Sequence, residues 1–251
     1  MSNLDATKRF SNRANDYVKY RPGYPVRAIR YLCERGINAD AVVADVGSGT
    51  GILSKLLIPY ARHVFGVEPN AAMRSEAEEV LGRLEKFTSI AGTAEDTGLP
   101  DSFIDVIVVA HAFHWFDQEA AVKEFKRIAK KPALLAVLWN TRLDDTLFLR
   151  DYENLLETFG TDYRQVDHRK IEERQLEEYF LSDFEKQEFG NEQVLDKDGL
   201  KGRLLSCSYV PKPGETDHDQ LIRRAEEIFD EHQENGAVVL RYSTQVYSGL
   251  I

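Results

Sequence analysis

Apolar and polar residues change their period several times along the chain, and each change marks an element. Val42-Val43-Ala44 is a short apolar run that reads as a fully buried strand. Asp45 ends it, and a turn carrying Gly47, Gly49 and Gly51 leads into Ile52, Leu53, Leu56 and Leu57 at helical spacing. His63 to Val67 reads as a second strand, ending in Glu68-Pro69-Asn70, and residues 71–85 read as a helix rich in Ala, Glu and Leu. Phe87 to Ala91 is a plausible third strand, and the almost wholly apolar, β-branched run Ile104 to Ala110 reads as a central parallel strand. A helix over 120–129, stopped by Lys130-Lys131-Pro132, precedes a fifth apolar strand over Ala133 to Trp139. Such alternation predicts an α/β fold whose parallel sheet carries helices on both faces.

The flanks differ from this centre. Phe10, Ala14 and Tyr17 share one face of an N-terminal helix, which Tyr20-Arg21-Pro22-Gly23-Tyr24-Pro25 breaks because neither proline continues a helix. Residues 26–34 read as a second helix. Residues 140–181 mix charged and aromatic side chains in amphipathic helices with no strand between them, which predicts a cap rather than another strand–helix unit. Phe184 to Leu195 reads as a later strand, 200–208 and 219–233 as helices, and Tyr242 to Tyr247 as the final strand. One domain over 1–251 is expected: a helical flap (1–36), a cofactor-binding core (37–139), a cap insertion (140–181) and C-terminal strands and helices (182–251).

Composition narrows the function classes. The chain has 251 residues, 43% of them hydrophobic, enough for one large core. The net charge of −10, without a basic run, excludes an advertised nucleic-acid face. No apolar run approaches the roughly 18 residues of a membrane span, and the polar start lacks a signal-type apolar region. Cys33 and Cys207 form no C-x-x-C pair, so neither a disulfide framework nor a metal site is expected. These features suit a reduced, cytoplasmic enzyme that handles small molecules.

The candidate chemistry collects at the strand ends, where open α/β sheets bind ligands. The glycine turn offers backbone N–H groups and a helix start at one point, fit for a nucleotide-like ligand or an anionic group. Its register, Gly47-x-Gly49-x-Gly51 after Asp45, differs from the G-x-G-x-x-G of dinucleotide sites. Glu68 lies 17 positions beyond Gly51, where a ribose diol would be met, although an acid and Asn70 there also suit a helix start. The central strand delivers His111, Phe113, His114 and Trp115 to its C-terminal end. Each histidine suits either acid–base work or simple packing. Tyr17, Arg21 and Tyr24 form either an aromatic cover on the domain edge or a flap with Arg21 aimed at a carboxylate.

Taken in order, DVGSGTG, GVEPN and AGTAEDTGLPDSFIDVIVVAHAFHWF resemble the class I S-adenosylmethionine-dependent methyltransferases. The N-terminal F-x3-A-x2-Y…YRP stretch is similar to the small-molecule branch that includes trans-aconitate methyltransferase. The resemblance implies a Rossmann-like, seven-stranded, mostly parallel sheet with an antiparallel last strand, and S-adenosyl-L-methionine as cofactor. It implies that Gly47, Gly49 and Gly51 let the backbone approach the methionine part and that Asp45 accepts from its amino group. Glu68 would take the ribose hydroxyls, Asn70 and Ala71 border the adenine, Ala94 and Glu95 meet its edge, and Ala110 and His111 lie beneath the sulfonium. The expected reaction is methyl transfer to a small-molecule acceptor, an oxygen nucleophile of an organic acid, with His114 or His111 as base. Arg21 clamps a carboxylate, and Trp115 and Phe113 wall the pocket. No metal, nucleic acid or membrane partner is expected. A catalytically silent cofactor-binding or partner-binding module on the same fold is the alternative, and a nicotinamide-dependent oxidoreductase a third reading.

Overall fold

The computed structural model describes residues 14–163, 171 and 173–251; Phe10 of the expected N-terminal helix face lies outside them. In chain order the elements are α1 (Ala14–Tyr20), α2 (Val26–Arg35), β1 (Val42–Val46), α3 (Ile52–Leu57), β2 (His63–Val67), α4 (Ala71–Leu81) and β3 (Phe87–Ile90). Then follow β4 (Ile104–Ala110), a 3-10 turn at Phe113–Trp115, α5 (Gln118–Ile128), β5 (Ala129–Arg142), α6 (Leu147–Phe159) and α7 (Glu173–Glu177). The chain closes with β6 (Ser182–Leu195), α8 (Lys197–Leu205), α9 (His218–His232) and β7 (Val238–Leu250).

All seven strands join one sheet in the order β3-β2-β1-β4-β5-β7-β6. The first five run parallel, and β7 runs antiparallel to both β5 and β6. Successive strand residues point to opposite faces. Ala44, Ile107, Val109, Leu135 and Val137 therefore pack with α5 in one layer, while Val43, Val106, Val108, Leu134 and Ala136 pack with α2, α3 and α4 in the other. Nearly every residue of β1 and β4 is buried, which is why both strands read as continuous apolar runs. The parallel strands place their C-terminal ends along one edge. That edge carries the glycine turn and the His111–Trp115 segment.

Three strands outrun their expected limits, β6 only by starting at Ser182 rather than Phe184. β5 continues past Trp139 to Arg142, because pairing with β7 extends through Arg142 opposite Tyr242. β7 itself spans thirteen residues rather than the alternating Tyr242–Tyr247 segment alone. The overhanging ends of β5, β6 and β7 enclose a third core, in which Phe148, Tyr152 and Leu156 of α6 meet Leu200 and Leu204 of α8, Ala225 and Phe229 of α9, and Tyr242 of β7. Leu176 of α7 belongs instead to the main sheet layer.

The N-terminal segment is docked on this third core. Tyr20 lies flat over Gly202 of α8, where an added Cβ would stand 2.2 Å from its ring. Gln193 donates to the Tyr20 carbonyl at 3.0 Å, and Arg21 donates to the Ser206 carbonyl at 3.0 Å. Gly202→Ala gains helix propensity of about 1 kcal/mol but must displace the tyrosine ring. The variant is expected to keep the parental Tm within a few degrees while amide exchange of residues 14–21 accelerates at least tenfold. Unchanged exchange there would show that the ring contact does not hold the segment down.

Candidate active site

The first element of the site is the turn after β1. Gly47, Gly49 and Gly51 have φ of 72°, 56° and 79°, a backbone region that L side chains rarely occupy. At Gly47 an added Cβ would also fall 2.5 Å from the Ala112 methyl, so the turn sits hard against the β4 exit. At Gly51 the obstruction is Leu81 at 2.7 Å, so this glycine serves the packing of α3 on α4 rather than approach of a ligand.

The turn does not offer its amides to an anion as the sequence suggested. Gly47 and Ser48 both donate to the Val67 carbonyl, at 2.8 and 3.1 Å, and Gly51 donates to Ser48 at 2.9 Å. Gly49 donates to a Glu68 carboxylate oxygen at 3.0 Å. These four N–H groups are thus spent internally, and α3 is only six residues long, which leaves the turn less of the positive end that a phosphate site needs. It does leave an acceptor. Asp45 is 1% exposed; its Oδ2 takes the Ser54 hydroxyl at 2.6 Å, while Oδ1 is buried without a partner. Burial pushes this carboxyl up to about 6 against the bond from Ser54. An orphaned, buried carboxylate oxygen fits a cationic amine.

A cleft of about 1120 Å³, its open mouth included, spreads from this point across the ends of β1, β4 and β5. Asp45, Gly47, Ala110, His111, His114, Trp115, Tyr17, Arg21 and Tyr24 all line it, so nine of the expected site residues are brought together. The other expected positions stand outside its lining. Glu68 accepts from Gly49 and, at 2.8 Å, from Asn70, which locks the glycine turn to the β2 exit; burial pushes its carboxyl up. Asn70 caps α4 by accepting from Met73 at 3.0 Å, the helix-start role its sequence context also suited. Ala71 is exposed, Ala94 is 3% exposed within the main core, and Glu95 accepts from the Asp117 amide at 3.0 Å. Phe113 is a correction: it is fully buried, edge-on to Phe116 and Tyr179, and walls nothing.

Both histidines line the cleft and are held by bonds from the fold. His111, at φ 54°, accepts the Asn140 amide on Nε2 at 2.6 Å. His114 accepts the Trp139 indole N–H on Nδ1 at 3.4 Å and lies 5.0 Å from the Trp115 ring. Those bonds assign the neutral tautomers, with the proton on Nδ1 of His111 and on Nε2 of His114. A ring nitrogen already accepting a bond from the fold is poorly placed to take a proton from substrate. One nitrogen of each ring is thus committed to the fold.

The far wall of the cleft was not anticipated from the sequence. Arg142, Tyr163, Arg203, Ser208 and Tyr209 line it. Arg142 donates to Glu153 at 3.0 and 3.2 Å and to the Tyr163 hydroxyl at 2.5 Å, and Tyr163 in turn donates to Glu153. Arg203 is 2% exposed. No carboxylate pairs with it among the described residues: Nε donates to Tyr242 at 3.3 Å, and Nη1 to the Ser206 hydroxyl at 3.5 Å and to Cys207 Sγ at 3.1 Å. Burial alone would push the Cys207 thiol up, but Arg203, then Arg21 and Arg142, draw it below its usual range. One signal was legible: Leu200, Arg203, Leu204 and Cys207 follow i, i+3, i+4 and i+7 spacing, which puts a guanidinium on the apolar face of a helix.

Comparison with known proteins agrees with this geometry. Residues 44–137 match the family model described as a methyltransferase domain. An uncharacterized methyltransferase of Mycobacterium bovis is 30% identical over 163 residues, 65% of this chain and 65% of that protein. An uncharacterized methyltransferase-like protein of Schizosaccharomyces pombe is 28% identical over 62% of this chain and 60% of its own. The matched segments thus cover a little under two thirds of these relatives. Among solved structures, a candidate type II methyltransferase from Anaeromyxobacter dehalogenans superposes with a TM-score of 0.68 at 23% identity, over 92% of this chain and 97% of that one. That likeness establishes the Rossmann-like methyltransferase fold. No helix among the described residues is long and apolar enough to cross a membrane.

The raised Asp45 carboxyl has a consequence for stability. Its ionisation opposes folding, so the cost is absent below about pH 4 and grows as pH rises towards 6. A shift of this size corresponds to roughly 3 kcal/mol at neutral pH. Asp45→Asn, which keeps an acceptor for Ser54, is expected to be more stable than the parent at pH 7.5 and equal to it near pH 4. Urea unfolding at the two pH values measures the difference; an equal gain at both would remove ionisation as the cause.

Proposed function

We propose that the protein is an S-adenosylmethionine-dependent methyltransferase acting on a small organic acid. The observation that carries this reading is the unpartnered Oδ1 of Asp45, buried in the cleft beside Gly47 and Ala110. It meets the demand of an amino acid ammonium for a buried anionic acceptor. The matched methyltransferase domain, residues 44–137, contains this carboxylate, the glycine turn and the β4 exit. The internally spent amides of the turn disfavour a pyrophosphate and with it the nicotinamide reading. Glu68, held from two sides by Gly49 and Asn70, keeps a second lone pair on each oxygen for a ribose diol.

Bound S-adenosylmethionine supplies a methyl group on a positively charged sulfur, a ready electrophile. This chain's part is to place the acceptor oxygen in line with that methyl and to exclude water. Tyr17, Arg21, Pro22 and Tyr24 close the cleft from the N-terminal side, with the Arg21 guanidinium 4.8 Å from the Tyr17 ring. Trp115 forms the opposite wall. Arg21 is within the cleft to hold either the cofactor's carboxylate or the acceptor's. An acceptor that arrives as a carboxylate needs no base, which agrees with a nitrogen of each imidazole being committed to the fold. The cap on this reading comprises α6, α8 and α9 with the strand ends beneath them, and it supplies acceptor specificity.

The alternative of a silent module on the same fold predicts cofactor binding without turnover. Calorimetric titration is expected to show binding of S-adenosylmethionine and S-adenosylhomocysteine but not NAD. Glu68→Ala should weaken both by tenfold or more, since charge-assisted hydrogen bonds contribute roughly 1.5–3 kcal/mol each. Absence of heat with S-adenosylmethionine, or parental affinity in the Glu68 variant, overturns the assignment. Incubating the protein with labelled cofactor and a panel of small acids, phenols and amines then separates enzyme from module. Against the acid that is turned over, His114→Ala should lower kcat/KM without shifting the pH profile between 6 and 8. A lost limb in that profile would restore the base role.

A further inference from the structure

The connection between β3 and β4, residues 91–103, has no helix or strand of its own. Loops of that length usually carry a function. This one is laid along α5 and fastened to it at three levels. Near the start of the helix, Glu95 accepts from the Asp117 amide at 3.0 Å. Near its end, Ser102 and Phe103 donate to the carbonyls of Arg127 and Ile128 at 2.9 and 2.7 Å. Between them stands Glu124, 8% exposed. Its Oε1 accepts from the Thr97 amide at 2.9 Å and from the Thr97 hydroxyl at 2.6 Å. Arg127 donates to both oxygens of that carboxylate at 2.7 Å and to the Leu99 carbonyl at 2.8 Å, and it also pairs with Asp101. The bonds from Arg127, then those from Thr97, draw the Glu124 carboxyl down to about 2 against the effect of burial. Thr97 is fully buried and passes this grip on. A Cβ at Gly92 would fall 2.7 Å from the Thr97 carbonyl oxygen, so the two ends of the turn touch. Inside it, Thr93 donates to the Asp96 carbonyl at 3.0 Å and accepts the Asp96 amide on its hydroxyl at 3.1 Å. The turn is closed on itself, and its anchor is a carboxylate on α5.

We propose that Glu124 and Arg127 are positioning residues for the base of the cofactor, acting through Thr97 on the turn 93–96. The proposal rests on the S-adenosylmethionine reading and deepens it by naming what holds the edge that meets the base. On that reading Asp45 at the β1 exit answers the ammonium and Glu68 at the β2 exit the ribose diol. The next strand outward is β3. The Glu68 amide donates to the Ile90 carbonyl at 3.0 Å, so the β3 exit starts beside the ribose carboxylate. A base carried on that ribose, directed away from Asp45, falls to the turn that follows Ile90. Hydrogen bonds to a base edge require a partner held within about 0.5 Å, which an unfastened loop does not provide. Glu124 and Arg127 stand outside the cleft lining, so their effect on a ligand passes through the loop. Every partner of Glu124 is a donor. A neutral amide in its place would turn an N–H group against one of them and loosen the grip without emptying the space.

The test compares S-adenosylhomocysteine with S-inosylhomocysteine, which differ only at the edge of the base, on the full chain by calorimetry. The parent is expected to prefer the adenine ligand by tenfold or more, because a site that hydrogen-bonds a group rejects the analogue lacking it. Glu124→Gln and Arg127→Lys should cut that preference to threefold or less, chiefly by weakening the adenine ligand. Both should also speed amide exchange at residues 93–99 at least tenfold. Thr97→Val, which keeps the amide bond to Glu124 and loses the hydroxyl, should fall between. A purely structural pair would weaken both ligands alike and leave the ratio at its parental value, and that result overturns the proposal. A parent that binds the two ligands equally overturns it as well. If Glu124→Gln does not fold, Arg127→Lys, at an exposed position, carries the comparison. Failure of the parent to bind either ligand puts the methyltransferase reading at fault. Adenosine against inosine on the same proteins then tests the turn by itself, and equal or absent binding of the two overturns the proposal.

Discussion

Asn140, in the lining of the cleft, ties together segments that lie far apart in sequence. Its amide donates to His111 at the β4 exit at 2.6 Å, and its side-chain nitrogen donates to the Gly23 carbonyl of the N-terminal segment at 3.1 Å. Its side-chain oxygen accepts from Thr244 of β7 at 2.5 Å and from Asn191 of β6 at 3.2 Å. Asn191 donates again to Gly23 at 2.8 Å. A residue that is 5% exposed thereby joins four stretches of chain far apart in sequence. Polar groups at that depth must be satisfied, and the set of partners that satisfies Asn140 is also the set that shapes the site. The antiparallel pairing of β7 with β5 brings Thr244 opposite Asn140, so the sheet topology itself supplies the fixed point.

The cleft built around this point is electrically divided. Asp45 stands at the β1 end and Arg142 and Arg203 on the far wall, with Arg21 in the N-terminal segment that closes the cleft, in surroundings where charges interact more strongly than in water. The protein as a whole carries −10, a field that repels an incoming anion. That field is screened over roughly 8 Å at physiological ionic strength, whereas a buried guanidinium acts at contact. An anion that enters the cleft would therefore be met by those guanidiniums at contact rather than steered in by the field of the whole chain. The same division explains why the glycine turn differs from a phosphate site. The amides of Gly47, Ser48, Gly49 and Gly51 are already satisfied by Val67, Ser48 and Glu68, so these bonds hold the turn and Glu68 together at the β2 exit.

The sequence disclosed what depends on local periodicity. β1 and β4 are buried on both faces and appear as unbroken apolar runs, and α2, α5 and α9 appear as stripes. Strand limits set by distant partners were not legible. β5 extends to Arg142 because β7, a hundred residues later, pairs with it. The site divides the same way. Asp45, Gly47, His111 and Tyr24 reach the cleft because each sits at the end of a recognisable element. Arg142 and Arg203 reach it from the overhanging strand end and the cap helix, whose placement depends on the third core. Arg203 did leave a trace as a charge within an apolar stripe. His111 and His114 were located correctly, but which nitrogen is committed depends on Asn140 and Trp139, and spacing carries no information about that.

The two imidazoles and the unpaired donors point the same way. A site that activated a neutral nucleophile would keep a basic nitrogen free at the cleft, and here the assigned acceptors of both rings face the fold. The buried donors left without partners in this part of the fold include Nε of Arg21 and the Tyr152 phenol. Each is a donor, and each asks for an acceptor-rich ligand. A carboxylic acid acceptor satisfies both conditions at once, because it arrives with its nucleophilic oxygen already deprotonated and with lone pairs to spare. On the proposed reading the committed ring nitrogens and the unpaired donors belong together: the chain would position an anion and leave the driving force for transfer to the charge on the cofactor's sulfur.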